Sequence, residues 1–385
     1  MRILVVNAGS SSLKLRLIGV RDEVLAEHDV DAPRAEPDTR ALDAFVDRLR
    51  GGVDAIGHRI VHGGERFRDP VRIDDAVVVA LHELTDLAPL HQPKSLTALE
   101  AVSRALPGVP AVACFDTAFH ATLPPAAATY ALPAEWRARW RLRRYGFHGL
   151  SHAYASRRAA ELLGRDRLRL VTCHLGAGAS LAAVRDGRSV DTTMGFTPLE
   201  GLVMASRSGS VDPGLVLWLL DRGRIPLDEL ASALEHDSGL AALAGTPDMR
   251  EVLAGRAAGD EQARLAIDVY QHRLRAGIAA MAAALEGLDA IVFTGGVGER
   301  STAVREEACH GLRFLGVQVD QAANERATAD ADVTASGARV RVLVVAARED
   351  LEIARQVRAV LEPAERSNEL HSSAADTASG SSTPS

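Results

Sequence analysis

The sequence predicts an α/β fold built from two related halves. Two observations support this: β-branched apolar runs alternate with helical patterns along the chain, and one arrangement of runs occurs twice. Near the start, an apolar run, a Gly/Ser turn and a second apolar run read RILVVNAGSSSLKLRLIGV, and later the same order reads LRLVTCHLGAGASLAAVRDG. In this comparison Asn7 corresponds to His174, and Gly9 to Gly176. We therefore expect the second half to repeat the design of the first.

The first half begins with a predicted hairpin and continues with helices and a strand. Residues 3–20 predict two strands around a tight turn, because short apolar runs flank a Gly/Ser cluster. Two helical patterns follow, and they are broken at Pro89 and Pro93. The apolar run in VPAVACFDTAFH then predicts a strand that ends at the polar residue Asp116.

The second half adds a long helix, two strands and a final helix. The helical pattern reads EQARLAIDVYQHRLRAGIAAMAAALEGL, and the strand in DAIVFTGGVGER is expected to end in a glycine turn. The last strand, RVRVLVVAA, leads into the helix EDLEIARQVRAVLE. Residues 364–385 contain no Val, Ile, Phe or Trp, so we expect a disordered tail that cannot offset its ordering entropy by burial.

Composition indicates a globular protein of two large domains. The chain has 385 residues, of which 47% are hydrophobic and 25% charged. Its net charge of −7, with both signs interspersed, provides no basic face for nucleic acid or an anionic membrane. No apolar run reaches the roughly 18 residues of a membrane helix, and the N-terminus does not read as a signal peptide. We expect a cytoplasmic protein with small-molecule substrates and three reduced cysteines.

Three small-residue turns, NAGSSS, HLGAGAS and FTGGVGE, each follow a strand-like run. Successive backbone N–H groups in such turns hold phosphate oxygens, and glycine lets the ligand approach closely. In the first turn Asn7, Ser10, Ser12 and Lys14 would add side-chain donors and a positive charge. Taken alone this turn is also typical of a plain hairpin, since neither a Walker motif nor a G-x-G-x-x-G helix start is present. Three turns in a duplicated chain favour a nucleotide site.

Histidines and arginines cluster in GHRIVHGGERF, RRYGFHGLSH and MASRSGSVDP. Arg59 and Arg207 lie in small-residue settings and suit an anionic substrate, one gripping a carboxylate and the other neutralising a phosphoryl group. His148 and His152 have the spacing of a zinc pair, but no third ligand is evident nearby. Hydrogen bonding to phosphate is the favoured role for His148, and His174 is placed to do the same.

Two carboxylates complete the candidate site, and each has two interpretations. Asp116 ends an apolar strand, where α/β enzymes present functional groups, but it also suits a helix N-cap. Glu349 is placed to reach Mg²⁺, but it also suits the first turn of the last helix, where the helix dipole favours an acid. Local sequence leaves both alternatives open.

Ten motifs in one order carry a resemblance to a known family. They read NAGSSSLK, GHRIVHGGE, LAPLHQP, FDTAFH, RRYGFHGLSH, HLGAGAS, DTTMGFTPLEGL, RSGSVDPG, DMR and FTGGVGE. From about residue 1 to 360, the chain resembles the acetate kinase family of acyl-phosphate-forming kinases. The resemblance implies a duplicated fold like that of actin, Hsp70 and the sugar kinases, with the active site in the cleft between two lobes. The implied lobes are residues 1–149 with 351–363, and residues 150–350.

The resemblance also implies an activity, reversible Mg²⁺-dependent phosphoryl transfer from ATP to acetate, with Mn²⁺ as an alternative ion, and a homodimer. Asn7 and Glu349 match the magnesium site, and Arg59 matches the group that binds the acetate carboxylate. The residues that match the remaining roles fall into three sets. They are Asp116, His148 and Arg207 for catalysis; Val61, Leu90, Phe147 and Pro198 for the methyl pocket; and Lys14, His174, Leu175, Gly176, Ala177, Gly178, Asp248, Met249, Arg250, Gly296, Val297, Gly298, Glu299 and Arg300 for ATP.

Three positions depart from the family pattern, and all lie on the nucleotide side. Ala177 and Arg300 stand where the family usually has asparagine, and Ser210 where it has aspartate. These departures leave open a phosphoryl donor other than ATP, such as pyrophosphate. The acceptor also has alternatives, propionate and butyrate, because one methylene in an apolar pocket changes discrimination by only about 1–3 kcal/mol.

A function of another class, a nucleotide switch of the actin or Hsp70 type, is the remaining alternative. Arg59, Arg207 and the apolar pocket count against it, because a switch needs no carboxylate site. For a kinase, the carboxylate acceptor is already ionised at pH 7 and needs no general base. We therefore expect Asp116 to orient Arg59 or the metal and not to remove a proton.

Overall fold

The computed structural model describes residues 1–9, 12–31, 44–46, 48–49, 51–88 and 92–362. Its described strands form two six-stranded sheets. In chain order the strands are β1 Ile3–Ala8, β2 Ser12–Ile18, β3 Val24–Asp31, β4 Ala55–Ile60, β5 Val71–Arg72, β6 Ala111–Phe115, β7 Arg169–Leu175, β8 Ala179–Arg185, β9 Arg188–Thr192, β10 Ala290–Thr294, β11 Ala331–Asp332 and β12 Arg341–Val344.

Helices connect and cover the strands. The described α-helices span Asp75–Glu83, Gln92–Ala105, Pro125–Ala128, Ala134–Trp140, Gly149–Leu163, Pro213–Leu220, Leu227–His236, Gly239–Ala244, Met249–Ala257, Glu261–Ala284, Gly295–Arg300, Thr302–His310, Gln321–Arg326 and Glu349–Leu361. Pro93 lies in the first turn of its helix and begins it, whereas Pro89 falls outside the described residues. Among the helices described, none is long and apolar enough to cross a membrane.

The two sheets have the same strand order, which confirms the predicted duplication. The first runs β3-β2-β1-β4-β6-β5, and the second, read from its opposite edge, runs β9-β8-β7-β10-β12-β11. Both predicted hairpins are present: β1 pairs antiparallel with β2, placing Asn7 opposite Lys14, and β7 pairs with β8, placing His174 opposite Ser180. Asn7 and His174 therefore occupy equivalent positions, each one residue before the last pair of its hairpin.

Each sheet is buried on both faces between helices. One face of the first sheet packs its leucines and valines, such as Leu4 and Val6, against the helix Gln92–Ala105. The second sheet packs one face against the helix Glu261–Ala284, where Phe293 is fully buried. Because both faces are covered, these strands have the nearly continuous apolar runs from which the sequence predicted them.

Two helices pack on the sheet of the other half. Helix Gly149–Leu163 follows the first sheet but contributes Tyr154 and Ala155 to a cluster with the second. Helix Glu349–Leu361 follows the second sheet but packs on the first through Ile353. Gly57 of β4 permits this contact, because a methyl group on it would lie 2.5 Å from a methyl of Ile353. The predicted lobe boundaries agree with this exchange but remain a prediction.

A buried carboxylate joins these two exchanged helices. Glu352 has no exposed surface, and its oxygens lie 2.7 Å from Arg157 Nη2 and 2.6 Å from Arg355 Nη2. Arg157 belongs to helix Gly149–Leu163, and Arg355 to the same helix as Glu352. Burial acts to raise the pKa of Glu352, but the two guanidinium groups outweigh it and hold the pKa below its ordinary value.

One predicted turn is instead the start of a helix. The sequence FTGGVGE was expected to form a glycine turn after its strand, but Gly295–Arg300 is helical and directly follows β10. Gly295 has φ +79°, and a methyl group on it would lie 2.8 Å from the Leu175 carbonyl oxygen. Only glycine permits so abrupt a junction. The three cysteines are free and buried, and the predicted tail lies outside the described residues.

Candidate active site

The carboxyl ends of the parallel strands from both sheets surround one cavity of about 500 Å³. In α/β proteins, ligands bind in the crevice outside the carboxyl ends of the parallel strands. Most residues predicted for phosphate, metal and carboxylate binding line it. They are Asn7, Lys14, Arg59, His148, His174, Ala177, Gly178, Gly296 and Glu349.

Arg59 and Asp116 form a two-point ion pair beside this cavity. Arg59 Nε lies 3.1 Å from Asp116 Oδ1, and Nη2 lies 2.5 Å from Oδ2. Arg59 Nη1 also donates to the Ala8 carbonyl oxygen at 2.7 Å, so three contacts fix the guanidinium. Strand order explains the meeting, because β4 pairs with β6 and Asp116 directly follows β6.

Asp116 is therefore not a helix cap. The short 3₁₀ helix Ala118–Thr122 begins after Thr117 without a side-chain cap, and the Asp116 carboxylate faces Arg59. Burial raises the pKa of Asp116, while the charge of Arg59 opposes that rise by favouring the carboxylate. The backbone of Asp116 is fixed too, because its carbonyl oxygen accepts from Gly149 N at 2.8 Å.

Asn7 and Glu349 meet from opposite halves of the chain. Asn7 Nδ2 donates to Glu349 Oε2 at 2.8 Å, and both residues line the cavity. Burial acts to raise the pKa of Glu349, but Arg59, His174 and the Asn7 amide bring it below its ordinary value. An ionised carboxylate and an amide carbonyl are hard oxygen donors, so these residues fit Mg²⁺, which takes one or two carboxylates and completes its shell with water and phosphate.

His148 and His174 stack on each other inside the cleft, with ring centroids 4.3 Å apart. Their Nδ1 atoms are held by hydroxyl groups, His148 by Ser180 at 2.9 Å and His174 by Ser151 at 2.8 Å. Burial lowers the pKa of both rings; His174 lowers that of His148 further, while Glu349 partly opposes the lowering for His174. The neutral form of each ring is therefore favoured at pH 7. Among the residues that the structure describes, no group of three His, Cys, Asp or Glu side chains has an arrangement that could hold a metal ion.

Arg207 reaches the same region from a loop of the second half. Its Nε lies 2.8 Å from Glu235 Oε2, and it is largely buried. A methyl group on Gly178 would lie 3.7 Å from Arg207 Nη1 and 3.3 Å from His148 Nε2. Arg207 and His148 therefore both lie close to Gly178.

A second cavity of about 740 Å³ adjoins the first and shares Ala177 and Gly296 with it. Its walls include the predicted nucleotide residues Gly176, Asp248, Met249, Arg250, Val297 and Arg300. Asp248 caps the helix Met249–Ala257, accepting from Arg250 N at 2.8 Å and pairing with the Arg250 side chain at 2.5 Å. The second cavity is larger and more apolar, and it continues into the first, charged cavity at the residues that they share.

Other predicted nucleotide residues have packing or hydrogen-bond contacts of their own, and their contact with ATP stays a prediction. The Leu175 side chain is buried in the core, and Gly298 is buried in its helix. The Glu299 carboxylate accepts from Ala347 N at 2.9 Å, which ties the helix Gly295–Arg300 to the segment that carries Glu349. Ser10 lies outside the described residues, and for Ser12 the structure gives the strand position without the side chain.

The methyl pocket stays a prediction, because neither of the two cavities is lined by Val61, Phe147 or Pro198. Val61 and Phe147 are buried in one apolar cluster, while Pro198 is half-buried and lines neither cavity as described. Leu90 falls outside the described residues. Of the three departures, Ala177 and Arg300 line cavity walls, whereas Ser210 Oγ accepts from Gly201 N at 3.0 Å.

Sequence reasoning missed Arg305, which supports the nucleotide-side helix. It is fully buried and donates from Nη1 to the carbonyl oxygens of Gly298 and Glu299, at 3.0 and 2.8 Å. Its other nitrogens donate to Asn324 Oδ1 and O, at 2.7 and 2.9 Å. The carbonyls at the end of Gly295–Arg300 are thus satisfied by a side chain. One arginine among 42 gave no sequence signal for this role.

A family model described as "Acetokinase family" matches residues 38–355. The chain belongs to the acetokinase family. Two of its relatives are named acetate kinase. The one from Nostoc punctiforme is 44% identical over 92% of this chain and 98% of that protein. The one from Thermotoga maritima is 43% identical over 94% of this chain and 99% of that protein. One similar solved structure is an acetate kinase from Porphyromonas gingivalis, which is 36% identical, has a TM-score of 0.86, and matches over 94% of this chain and 99% of that chain. Another is a propionate kinase from Francisella tularensis, which is 34% identical, has a TM-score of 0.88, and matches over 94% of this chain and 100% of that chain.

Membership in the acetokinase family confirms the resemblance on which the sequence prediction rested. Similarity to family structures over nearly their full length confirms the duplicated two-lobed fold class.

Proposed function

We propose that the protein is an acetate kinase that transfers the γ-phosphoryl group of ATP reversibly to acetate, giving acetyl phosphate and ADP. The observation that carries this proposal is the Arg59–Asp116 ion pair, which holds the Arg59 guanidinium in one position at the wall of the charged cavity. That cavity adjoins a second one that is large enough for a nucleoside. A fixed guanidinium recognises a small carboxylate, and membership in the acetokinase family supplies the reaction class.

Catalysis then rests on alignment and charge. Acetate is ionised at pH 7, so its oxygen attacks the γ-phosphorus without a general base. Arg59 binds the carboxylate, and Asp116 fixes the angle of the guanidinium, which keeps the attacking and leaving oxygens in line. His148 and Arg207 donate to the equatorial oxygens, where negative charge accumulates during transfer.

Asn7 and Glu349 would hold Mg²⁺, with Mn²⁺ as the alternative ion. The metal supplies neutralisation of the phosphate charge when it is bound. The lowered pKa of Glu349 keeps this ligand ionised across the neutral range. Asn7 holds one oxygen of that carboxylate, so the ligand set is oriented before a metal arrives.

The nucleotide would extend from the second cavity into the first. The nucleoside occupies the chamber between Asp248, Met249 and Val297, and the polyphosphate passes Ala177 and Gly296, which both cavities share. Lys14 lines the charged cavity and faces the phosphates as one of only two lysines in the chain. Glycine at 176, 178 and 296 admits the phosphates close to the backbone.

An acyl-hydroxamate assay tests the function and its alternatives. Acetate, propionate and butyrate are each offered with ATP and Mg²⁺, and again with pyrophosphate. We expect the highest kcat/KM for acetate with ATP, because the relatives at 43–44% identity are named acetate kinase. A preference for propionate, the acceptor named for one similar structure, would reassign the acceptor, and a preference for pyrophosphate would reassign the donor. No product with any acid would instead favour a nucleotide switch.

We further propose that the protein is a homodimer. The helix Pro213–Leu220 is almost entirely apolar yet has no buried residue, and Leu217 and Trp218 are 69% and 56% exposed. Apolar surface this concentrated marks an interface. Trp218→Asp should yield monomers in sedimentation analysis, whereas Val79→Asp, at another exposed apolar position, should leave the dimer intact. A monomeric parent protein would refute the proposal. A cytoplasmic location remains a prediction from the sequence.

A further inference from the structure

A chain of hydrogen bonds runs from the interior of the second sheet to His148. It passes from Thr172 of β7 to His152, then to Ser180 of β8, and ends at His148. Thr172 Oγ1 lies 2.7 Å from His152 Nδ1, His152 Nε2 lies 2.8 Å from Ser180 Oγ, and Ser180 Oγ lies 2.9 Å from His148 Nδ1. Thr172, His152 and Ser180 have no exposed surface, so water does not compete for these bonds.

Thr172 sets the direction of this chain. Its hydroxyl has one proton and two acceptors within reach, His152 Nδ1 at 2.7 Å and the Ala182 carbonyl oxygen at 3.5 Å. If His152 Nδ1–H donated to Thr172 instead, the threonine proton would be left with the 3.5 Å contact alone, which is at the limit of a hydrogen bond. We therefore assign the threonine proton to the line to His152. His152 Nδ1 is therefore an acceptor, and in a neutral imidazole the proton must then be on Nε2.

The same reasoning continues outward from His152. Its Nε2–H donates to Ser180 Oγ, and the Ser180 hydroxyl is left to donate to His148 Nδ1. Neutral His148 then carries its proton on Nε2. This atom is near the cavity wall, because it would lie 3.3 Å from a methyl group on Gly178, and both residues line the cavity.

We propose that Thr172, His152 and Ser180 are positioning residues that hold neutral His148 in the tautomer whose Nε2–H points to the phosphoryl site. This inference rests on the proposed function, in which His148 donates to the transferring group. The opposite tautomer would present a lone pair to the phosphate oxygens and repel them. Burial lowers the pKa of both His148 and His152 well below the ordinary value, which agrees with neutral rings.

This arrangement gives the site a neutral donor, because His148 donates from Nε2–H without taking up the second proton of an imidazolium. A protonated histidine would also donate, but its charge would be costly next to Arg59 and Arg207, both of which disfavour it. The serine and threonine hydroxyls fix the tautomer without adding charge. The second sheet thus supplies the orientation of a side chain that begins the helix Gly149–Leu163.

Nitrogen NMR of the intact protein tests the tautomer without reference to activity. Long-range ¹H–¹⁵N spectra of histidine-labelled protein at about pH 7 distinguish protonated from unprotonated ring nitrogens. The His148 signals are identified by their loss in His148→Gln. We expect a protonated Nε2 and an unprotonated Nδ1 on both His148 and His152. A proton on His148 Nδ1, or a doubly protonated ring, overturns the inference even if the protein is an active kinase.

Variants test the positioning role. Thr172→Val should lower kcat about 10-fold, as loss of an orienting partner does for metal-bound histidines, and should leave KM for acetate within about 2-fold. Thr172→Ser, which keeps the hydroxyl, should restore kcat and the parent His148 spectrum. Thr192→Val is the matched control, because this buried threonine donates to the Leu181 carbonyl oxygen at 2.8 Å. Equal kcat in the Thr172→Val and Thr192→Val variants would refute the role.

Discussion

Arg59 and Asp116 meet at the ends of adjacent strands through two contacts, Nε to Oδ1 at 3.1 Å and Nη2 to Oδ2 at 2.5 Å. The carboxylate uses both its oxygens on one guanidinium and has 1% of its side chain exposed. Such a pair fixes the direction of the remaining guanidinium edge. In the proposed kinase, Asp116 thus acts on acetate through Arg59.

Asp116→Asn should therefore reduce kcat about 100-fold, because a guanidinium that is no longer held in place positions acetate poorly for attack. KM for acetate should rise much less. Steady-state kinetics over a range of acetate concentrations separate the two effects. Asp54→Asn is the control, because Asp54 pairs with Arg2 at the exposed surface and should retain parent kinetics. Near-normal turnover of Asp116→Asn would rule out the orienting role.

Glu349→Gln should raise the Mg²⁺ concentration for half-maximal activity about 10-fold or more, because a neutral amide is a weaker ligand than a carboxylate. Titration of activity with Mg²⁺ at saturating ATP measures this. Glu362→Gln, just beyond the same helix, removes a charge without touching the cavity. If both variants respond equally to Mg²⁺, Glu349 is not a ligand.

Ala177→Asn should lower KM for ATP about 5-fold, because it adds an amide donor and each hydrogen bond to a charged group contributes about 1.5–3 kcal/mol before ordering costs. The position fits, since Ala177 lines both cavities at their junction. Ala258→Asn, at an exposed position that lines neither cavity, should leave KM for ATP unchanged. An unaltered KM in the Ala177 variant would mean that the polyphosphate takes another path.

Glu352→Gln should lower the free energy of unfolding by about 3 kcal/mol at pH 7, because it leaves two guanidinium groups without their buried partner. The folded-state pKa of Glu352 is lowered, so its carboxylate stabilises the fold above the unfolded value of about 4.3. This contribution is lost as the pH falls through the folded-state pKa.

Urea unfolding of parent and variant from neutral to acidic pH therefore shows a difference that shrinks toward acid. Glu161→Gln provides the comparison, because Glu161 contacts the same Arg157 but is 49% exposed. Its effect should stay below about 0.5 kcal/mol at any pH. A difference for Glu352→Gln that is constant with pH would exclude the ionic explanation.

Gly57→Ala should destabilise the protein by about 2 kcal/mol, because the added methyl would overlap the Ile353 side chain at 2.5 Å. Combining it with Ile353→Ala removes the overlapping methyl. The double variant should then lose less stability than the sum of the single variants in urea unfolding. Additive losses would show that the final helix does not pack on β4 as described.

The sequence predicted those site residues that stand at strand ends. Asn7, Asp116 and His174 each follow or end an apolar run, and parallel pairing brings such ends together without any information on side chains. The family resemblance added Leu90, which lies outside the described residues, and Pro198, which lines neither of the two cavities described.

What the sequence did not predict depends on tertiary packing. Whether Gly295 begins a turn or a helix depends on the Leu175 carbonyl oxygen nearby. The Glu299 carboxylate was expected to contact ATP, but the Ala347 backbone lies close enough to bind it. Thr172 and Ser180 look like ordinary strand residues until their hydroxyls meet two histidines. Such partners lie far apart along the chain, and no local pattern indicates them.

The exchange of helices between the two halves has a consequence for synthesis on the ribosome. One face of the first sheet is covered by the helix Glu349–Leu361, which is translated long after the last strand of that sheet, Ala111–Phe115. Domains that are complete fold as they emerge, but this face lacks its covering helix until the end of the chain is made. The apolar residues on it therefore stay without that helix while more than half of the chain is translated.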